Sequence, residues 1–332
     1  MKRTVYITIL GLIIIFFTSC AKPNEVPDVA ENNALSIEHF YPTVGYCYDV
    51  FATDSLLYIA EDQGGYSIYN YETQSQRCHY NTDIENIRMI FPIEEKNLLF
   101  VYDIYGSPAG IDVYDISDIT APTTEGIPPI WDDTQQLEDM YFELRADNNI
   151  NVYWSRYAEY THGIYGNLWI NSGAIDTFPN SVAGFDIDEQ FIYLSGEQVG
   201  IYIAEKGINE VANTINTVGS ALDVKKVDDY IFVANRQEGF SVFNVVDIMN
   251  PVLVYSKNLG ELIYTVEIEN NIMALTSHSG GVYVYDITNA TEPELLGNLD
   301  DELGYTYKSV IKNGKVFAGT RTGVFEISID QQ

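Results

Sequence analysis

Apolar and polar residues alternate in short runs along most of the chain, and one such run recurs. Residues 281–293, GVYVYDITNATEP, share a thirteen-residue pattern with residues 110–122 and 239–251: a glycine, an apolar alternation, an Asp or Asn, and a final proline at fixed offsets. Alternation with period two is typical of a β-strand, and the last residues favour a turn followed by an edge strand. The pattern therefore predicts a repeated strand-and-turn unit.

Weaker copies of the pattern begin at Gly65, Gly200 and Gly323, and a degenerate copy begins at Gly166. Successive glycines lie about 43 residues apart on average, the length of a four-stranded propeller blade. In each unit the second strand is an almost continuous apolar run, as expected for a strand buried on both faces. The sequence thus predicts an all-β fold, a β-propeller of seven four-stranded blades; six or eight blades stay open because the unit at Gly166 is degenerate.

The two ends of the repeat region complement each other. Residues 34–43 resemble an outer strand with no unit before it, whereas the last unit stops after its third strand near Asp330. An N-terminal strand that completes the last blade would close the ring and cover two exposed strand edges. We expect this arrangement in a propeller domain spanning residues 34–332.

The N-terminus predicts export and lipid attachment. Lys2 and Arg3 precede an apolar run from Val5 to Phe17, and small polar residues lead to Cys20. This run is short for a membrane span, and the whole segment resembles a bacterial lipoprotein signal, residues 1–19, in which Cys20 would be acylated. Residues 20–33 then form a flexible tether, and the residue after Cys20 favours the outer membrane by analogy. An uncleaved anchor helix is the alternative.

The repeat itself resembles a known family. The glycine, the segments VYVYD, FSVFN and IDVYD, and the closing proline of residues 281–293, 239–251 and 110–122 are similar to the LVIVD repeat of secreted bacterial and archaeal β-propellers. This resemblance implies the propeller architecture and no particular biochemical activity.

Composition narrows the classes of partner and cofactor. The formal net charge of −31 argues against nucleic-acid binding, which needs a basic footprint.

Cys47 and Cys78 fall on the innermost and outermost strands of one blade, about 14 Å apart, which is too far for a disulfide. The four histidines show no metal-ligand spacing, so no metal site or cofactor is expected, and no motif supports a calcium site, although calcium stays possible.

Two groups of residues are candidates for a binding site. One is a set of carboxylates at comparable positions on first strands: Asp49, Glu143, Asp186 and Asp223. These side chains would line the central channel, either as an acidic ring that binds a cation or a basic group or simply as polar groups in contact with solvent. The other is an aromatic-rich segment that looks like an insertion into the third unit and suits either recognition of a partner or a hydrophobic strand pair: Tyr153, Trp154, Tyr157, Tyr160, Tyr165 and Trp169.

No nucleophile elbow, phosphate loop or catalytic motif is present, so the chain nominates no catalytic residue. The sequence favours a monomeric, non-enzymatic lipoprotein of the cell envelope, periplasmic or surface-exposed, that binds an envelope protein or a glycan. The alternative is a propeller that binds or processes polysaccharide with loop or channel carboxylates.

Overall fold

The structure is a computed structural model. It describes residues 33–81, 86–104, 110–124, 137–144, 146, 148–156, 159–165, 170–177, 181–206 and 211–330. The expected signal peptide, residues 1–19, and Cys20 lie outside the described residues. That description also leaves out the side chains of Glu143, Arg156, residues 159–164 and residues 170–177.

The described chain is built of 27 β-strands and one turn of 3-10 helix, Glu94–Lys96. The strands of the first half are β1 (Leu35–Pro42), β2 (Asp49–Ala52), β3 (Leu56–Ala60), β4 (Tyr66–Asn70), β5 (Ser75–Tyr80), β6 (Ile87–Ile93), β7 (Leu98–Asp103), β8 (Gly110–Asp115), β9 (Leu137–Leu144), β10 (Ile150–Arg156), β11 (Glu159–Tyr165) and β12 (Ile170–Thr177). Those of the second half are β13 (Phe185–Ile187), β14 (Phe191–Ser195), β15 (Ile201–Glu205), β16 (Val211–Ile215), β17 (Asp223–Val227), β18 (Tyr230–Ala234), β19 (Phe240–Asn244), β20 (Val252–Lys257), β21 (Ile263–Glu269), β22 (Ile272–Ser277), β23 (Gly281–Asp286), β24 (Glu294–Leu299), β25 (Thr306–Lys312), β26 (Lys315–Thr320) and β27 (Gly323–Ile329).

These strands form seven antiparallel sheets. Within the described residues, sheet 2 has three strands, β6–β8, and the other sheets have four: β2–β5 (sheet 1), β9–β12 (sheet 3), β13–β16 (sheet 4), β17–β20 (sheet 5), β21–β24 (sheet 6) and β25–β27 with β1 (sheet 7). In sheet 7, β1 pairs with β27 from Leu35 opposite Ile329 to Pro42 opposite Gly323. The N-terminal strand therefore supplies the outermost strand of the last sheet.

Second and third strands are buried on both faces. Every residue of Leu57–Ala60 and of Ile231–Ala234 is buried, and so are the first four residues of β4 and of β19. Their polar members, such as Ser67 and Ser241, are buried too. The sequence suggests alternation in the third strand, but both of its faces pack because a neighbouring sheet covers each side.

A hydrophobic cluster joins each sheet to the next. One cluster in the described chain spans sheets 1 and 2, and corresponding clusters follow for each successive pair through sheets 6 and 7. A further cluster packs Val310, Phe317 and Val324 of sheet 7 against Val50 and Leu57 of sheet 1. The first and last sheets therefore share a core, and this arrangement is consistent with a β-propeller.

The third sheet corrects the sequence interpretation of residues 156–166. The described part of this segment is not an insertion, because residues 159–165 form β11, which pairs with β10 from Ile150 opposite Tyr165 to Arg156 opposite Glu159. Gly166, proposed as the start of the third strand, comes after that strand has ended. The first two strands of this sheet, β9 and β10, have eight and seven residues and are longer than the first and second strands of the other described sheets, so counting from a degenerate glycine misplaced the third strand.

The repeated glycine is required by space as well as by conformation. Gly281 has a φ of 67°, and a Cβ there would lie 1.9 Å from the Leu299 carbonyl oxygen. Gly314 has a similar φ of 72° but no atom within 4 Å of such a Cβ.

We therefore expect Gly281→Ala to lower the free energy of unfolding by about 1–3 kcal/mol more than Gly314→Ala does. The two substitutions share the strain of a left-handed backbone, so their difference reports the close approach of the outer strand. Urea unfolding of both variants measures it. Equal losses would show that the outer strand does not lie against Gly281.

Candidate functional site

The first strands carry carboxylates that join one sheet to the next. The Asp49 carboxylate accepts a hydrogen bond from the N–H of Val50 (3.0 Å) and another from the N–H of Ile90 in sheet 2 (2.9 Å). Asp223 repeats this with the N–H of Val224 (2.9 Å) and that of Val266 in sheet 6 (2.9 Å). In both cases one oxygen is bonded within its own strand and the other reaches the next sheet.

Two further aspartates do the same. Asp139 accepts from the N–H of Met140 (2.9 Å) and from that of Phe185 in sheet 4 (3.2 Å). Asp186 accepts from the N–H of Lys226 in sheet 5 (2.7 Å). Because these carboxylates satisfy backbone donors of a neighbouring strand, they hold adjacent sheets together.

The structure places three of the four predicted channel acids on equivalent strands and replaces the fourth. Asp49, Asp186 and Asp223 lie on first strands, and in β9 the equivalent residue is Asp139, which pairs with Ser155. The prediction of Glu143 at a comparable position was wrong: it pairs with Asn151, at the other end of the strand. The unexpected length of β9 and β10 caused this error.

Two lysines complete this set of charges. Lys308 Nζ lies 2.7 Å from Asp49 Oδ1, and Lys225 Nζ lies 3.2 Å from Glu267 Oε2. Burial alone would lower the pKa of Lys225, but Glu267 and the neighbouring aspartates outweigh burial and raise it well above its usual value. Burial raises the pKa of Asp139 to about 6 and that of Asp223 to about 7, although the lysines oppose the rise. Lysine–carboxylate pairs therefore link the first strands of neighbouring sheets, and burial disfavours the ionised form of the aspartates beside them.

A serine, a histidine and a glutamate also meet in sheet 1, but not as a catalytic triad. The Ser67 hydroxyl lies 2.9 Å from His79 Nδ1, and Glu61 Oε1 lies 3.8 Å from the same ring nitrogen. A triad needs the nucleophile and the carboxylate on opposite ring nitrogens, and Ser67 is only 1% exposed. This cluster therefore satisfies a buried serine.

A continuous patch of aromatic rings lies where first strands begin and second strands end; we call this side the entry face. The patch, together with two arginines, forms the tyrosine–arginine face: Tyr46, Tyr48, Tyr264, His278, Tyr305, Tyr307, Arg88 and Arg321. These residues lie at the first strands of sheets 1, 2, 6 and 7 or directly after the second strands of sheets 6 and 7.

The rings of this face contact one another in series. His278 is stacked on Tyr264, with ring centroids 3.5 Å apart, and on Tyr305 at 4.8 Å. Tyr307 then lies 4.9 Å from Tyr305 and 4.4 Å from Tyr48. The series crosses from sheet 6 through sheet 7 to sheet 1, so that the face depends on the packing of three sheets.

The arginines lie over these rings. The guanidinium carbon of Arg88 is 3.5 Å from the Tyr48 centroid, and that of Arg321 is 4.1 Å from the Tyr305 centroid. Arg88 also lies 3.3 Å from an Asp62 carboxylate oxygen. Arg321 is exposed, and no carboxylate of the described chain lies within ion-pair distance of it. Its guanidinium is therefore available to a ligand.

His278 is neutral at physiological pH. Burial, with the nearby charges of Arg236 and Arg321, lowers its pKa to about 4. Its Nδ1 lies 2.7 Å from the Tyr305 hydroxyl. The uncharged ring can therefore remain stacked between two tyrosines across the neutral pH range.

The aromatic residues chosen from the sequence lie elsewhere. Tyr153, Trp154 and Tyr165 are buried in strands of sheet 3, with at most 7% of their surface exposed. The backbone of Tyr160 pairs with Ser155, while Tyr157 and Trp169 lie outside the described residues. The strand-pair interpretation thus accounts for Tyr153, Trp154 and Tyr165, the three whose side chains the structure describes.

The sequence contains a signal for the tyrosine–arginine face that was missed. Tyr46 and Tyr48, like Tyr305 and Tyr307, are spaced two apart at the start of a first strand, so they share one side. Recognising the face required knowing that the first and last sheets are neighbours.

Within the described ranges, no three His, Cys, Asp or Glu side chains are grouped so that they could hold a metal ion. No helix among these residues has the length and apolarity needed to cross a membrane. Cys47 and Cys78 are both buried and free.

Comparisons with known proteins support the fold only. No family model matches the sequence, and no curated protein does. The chain is similar to a solved structure titled "Crystal Structure of Mitotic Checkpoint Complex", with a TM-score of 0.72 and 8% identity over 94% of this chain and 99% of that chain. It is also similar to the computationally designed Ika8 protein, with a TM-score of 0.62 and 9% identity over 87% and 98% of the two chains. At these identities the likeness shows a propeller-like fold.

Proposed function

We propose that this protein is a non-enzymatic binding module of the cell envelope that presents its tyrosine–arginine face to a partner. The observation that carries the proposal is the continuous series of tyrosine and histidine rings flanked by Arg88 and Arg321. Tyrosine and arginine are the residues most enriched where binding energy concentrates in protein interfaces. An envelope protein is therefore the partner that this surface fits best.

The proposal includes a closed ring of seven blades, with β1 completing the last blade. Its support is the pairing of Pro42 with Gly323 and the hydrophobic cluster shared by sheets 7 and 1. A closed ring would fix Tyr46 and Tyr48 of the first blade beside Tyr305 and Tyr307 of the last. The binding face would then be rigid before the partner arrives, which lowers the entropic cost of binding.

Anchoring by lipid is the second part of the proposal. A signal peptide at residues 1–19 would be removed, Cys20 would carry the lipid, and residues 20–33 would tether the propeller to the outer membrane. The LVIVD resemblance agrees with a secreted propeller of this kind. The tethered chain would act as a monomer, on the periplasmic side or on the cell surface.

Glycan binding is a second candidate. Tyr46 is 45% exposed and lies beside the exposed guanidinium of Arg321, so ring faces and hydrogen-bond donors are available together for a sugar. Polysaccharide cleavage by channel acids has less support, because Asp49, Asp139 and Asp223 are bonded to backbone N–H groups. These bonds give the three carboxylates a structural task between sheets, whereas a catalytic acid and nucleophile must both face the substrate.

Capture from an envelope extract tests the proposal. The lipid-free chain should retain a partner, and the double variant Tyr46→Ala, Arg321→Ala should lose it. The control variant Ile37→Ala, Arg77→Ala removes one exposed apolar residue and one exposed arginine from outer strands and should retain it. Digestion of the partner with protease or with glycosidase distinguishes protein from glycan. Equal capture by both double variants would contradict the proposal.

A further inference from the structure

Sheet 5 exposes four large apolar side chains that lie close together in the sequence. Val246, Met249, Val252 and Leu253 are 68%, 59%, 57% and 48% exposed. These four are among ten large apolar residues exposed in the described chain, and they fall within eight consecutive residues. Single exposed apolar residues are normal, but a contiguous group marks a contact surface. We call this group the apolar patch.

The apolar patch lies on the side opposite the entry face. It follows the end of β19 at Asn244 and includes the first residues of β20. Third strands run away from the entry face, because each begins beside a second-strand end and finishes beside the first hairpin, as Asn244 does opposite Tyr230. The turn is held in place because the Asp247 carboxylate accepts the Met249 N–H (3.0 Å).

The N-terminal end of the described chain, residues 33–35, lies on this same side. Leu35 is paired with Ile329, the last residue of the third strand in sheet 7. Just before it, Ala34 donates its N–H to the Leu296 carbonyl (3.0 Å), and Asn33 Nδ2 donates to the Asn298 carbonyl (2.7 Å). Leu296 and Asn298 belong to the outer strand of sheet 6, which neighbours sheet 5.

A lipid on Cys20 would hold this side close to the membrane. The step from Cys20 to Asn33 covers 13 residues, which reach at most about 45 Å when fully extended. A short link makes a second, weak contact effectively intramolecular, at millimolar effective concentration. An apolar patch too small to bind a membrane alone can therefore bind one to which the chain is already anchored.

We propose that the apolar patch sits in the headgroup region of the bilayer that holds lipidated Cys20, so that the tyrosine–arginine face points away from the membrane. This inference rests on the proposed lipid anchor. The lipid surface that the apolar patch contacts is zwitterionic, because a chain with a net charge of −31 is repelled by an anionic surface. The exposed aliphatic side chains supply the attraction.

The test uses the full lipidated chain in phosphatidylcholine vesicles. Met249→Cys and Val218→Cys place an environment-sensitive fluorophore at equally exposed sites, 59% and 62%, on the patch and at the entry face. The probe at 249 should shift to the blue and lose emission to brominated lipid, whereas the probe at 218 should do neither. The wild-type chain, whose other cysteines, Cys47 and Cys78, are buried, gives the background labelling.

A further variant shows whether the patch itself makes the contact. Adding Val246→Asn and Leu253→Asn to Met249→Cys should abolish the blue shift while the chain still floats with the vesicles. Identical emission from positions 249 and 218 in a chain that floats would overturn the inference and leave the anchor intact. A chain that carries no lipid on Cys20 and does not float would overturn both.

Discussion

Replacing Trp154 with alanine is expected to lower the free energy of unfolding by about 3–5 kcal/mol. The Trp154 side chain is fully buried in the second strand of sheet 3, where it packs with Phe100 of sheet 2 and with Phe142 and Val152 of its own sheet. Its removal leaves a cavity between two sheets that cannot close without moving strands. Equilibrium unfolding in urea measures the loss.

The control for this prediction is Tyr46→Ala. Tyr46 is also aromatic but 45% exposed, so the substitution should cost no more than about 1 kcal/mol. If Trp154→Ala were as mild as Tyr46→Ala, residues 150–156 and 159–165 would not form the strand pair that the structure places there. They would then be available again as a recognition segment.

Acidification from pH 8 to pH 5.5 is expected to stabilise the fold, and Asp223 should account for about 2 kcal/mol of the gain. Burial raises the pKa of Asp223 to about 7 and that of Asp139 to about 6, above the value near 4 of an unfolded aspartate. Between these values the folded chain binds protons that the unfolded chain does not. The stabilisation is therefore complete below about pH 4 and is lost as the pH rises through 6 to 7.

Two variants isolate this effect. Asp223→Asn removes the titrating group and should reduce the difference in stability between pH 5.5 and pH 8 by about 2 kcal/mol. Asp118→Asn should leave the difference unchanged: hydrogen bonds from Thr120 lower the pKa of the Asp118 carboxyl, so it titrates at lower pH. Unfolding curves of the three chains at both pH values give the comparison. The same pH response in all three would mean that Asp223 is ionised in the channel without cost.

The repeat pattern predicted most of the architecture because the residues that repeat have local tasks. Gly281 fits a left-handed turn beside an outer strand, and the phrase around it predicts the third strand correctly as Gly281–Asp286. Where the pattern is degenerate, as at Gly166, the prediction failed, because the third sheet has longer strands and no spacing to mark them.

The candidate site was less predictable because it does not repeat. Asp139, Lys225 and Lys308 come together only through the packing of several sheets, and a single sequence has no period that links them. The same is true of the contact between Tyr48 and Tyr307, which are 259 positions apart in the chain but 4.4 Å apart as rings. Repetition predicted the scaffold, whereas the tyrosine–arginine face depends on how the first and last sheets meet.

The two faces suggest a division of tasks. The N-terminal end of the described chain and the apolar patch lie on one side, and the tyrosine–arginine face lies on the other. In the arrangement we propose, the membrane occupies the first side and a partner reaches the second. Substitutions on one side should therefore leave the other function intact.

The dissociation constant of the captured partner tests the central claim most directly. Measured by titration calorimetry with the lipid-free chain, the constant should rise by about thirtyfold or more in the Tyr46→Ala, Arg321→Ala variant, because loss of a single tyrosine or arginine hot spot costs about 2 kcal/mol or more and each ~1.4 kcal/mol is a factor of ten. It should stay within about threefold in the Ile37→Ala, Arg77→Ala control, as expected for residues outside an interface. An unchanged constant in the first variant, with its fold intact, would contradict the assignment of the tyrosine–arginine face as the binding surface.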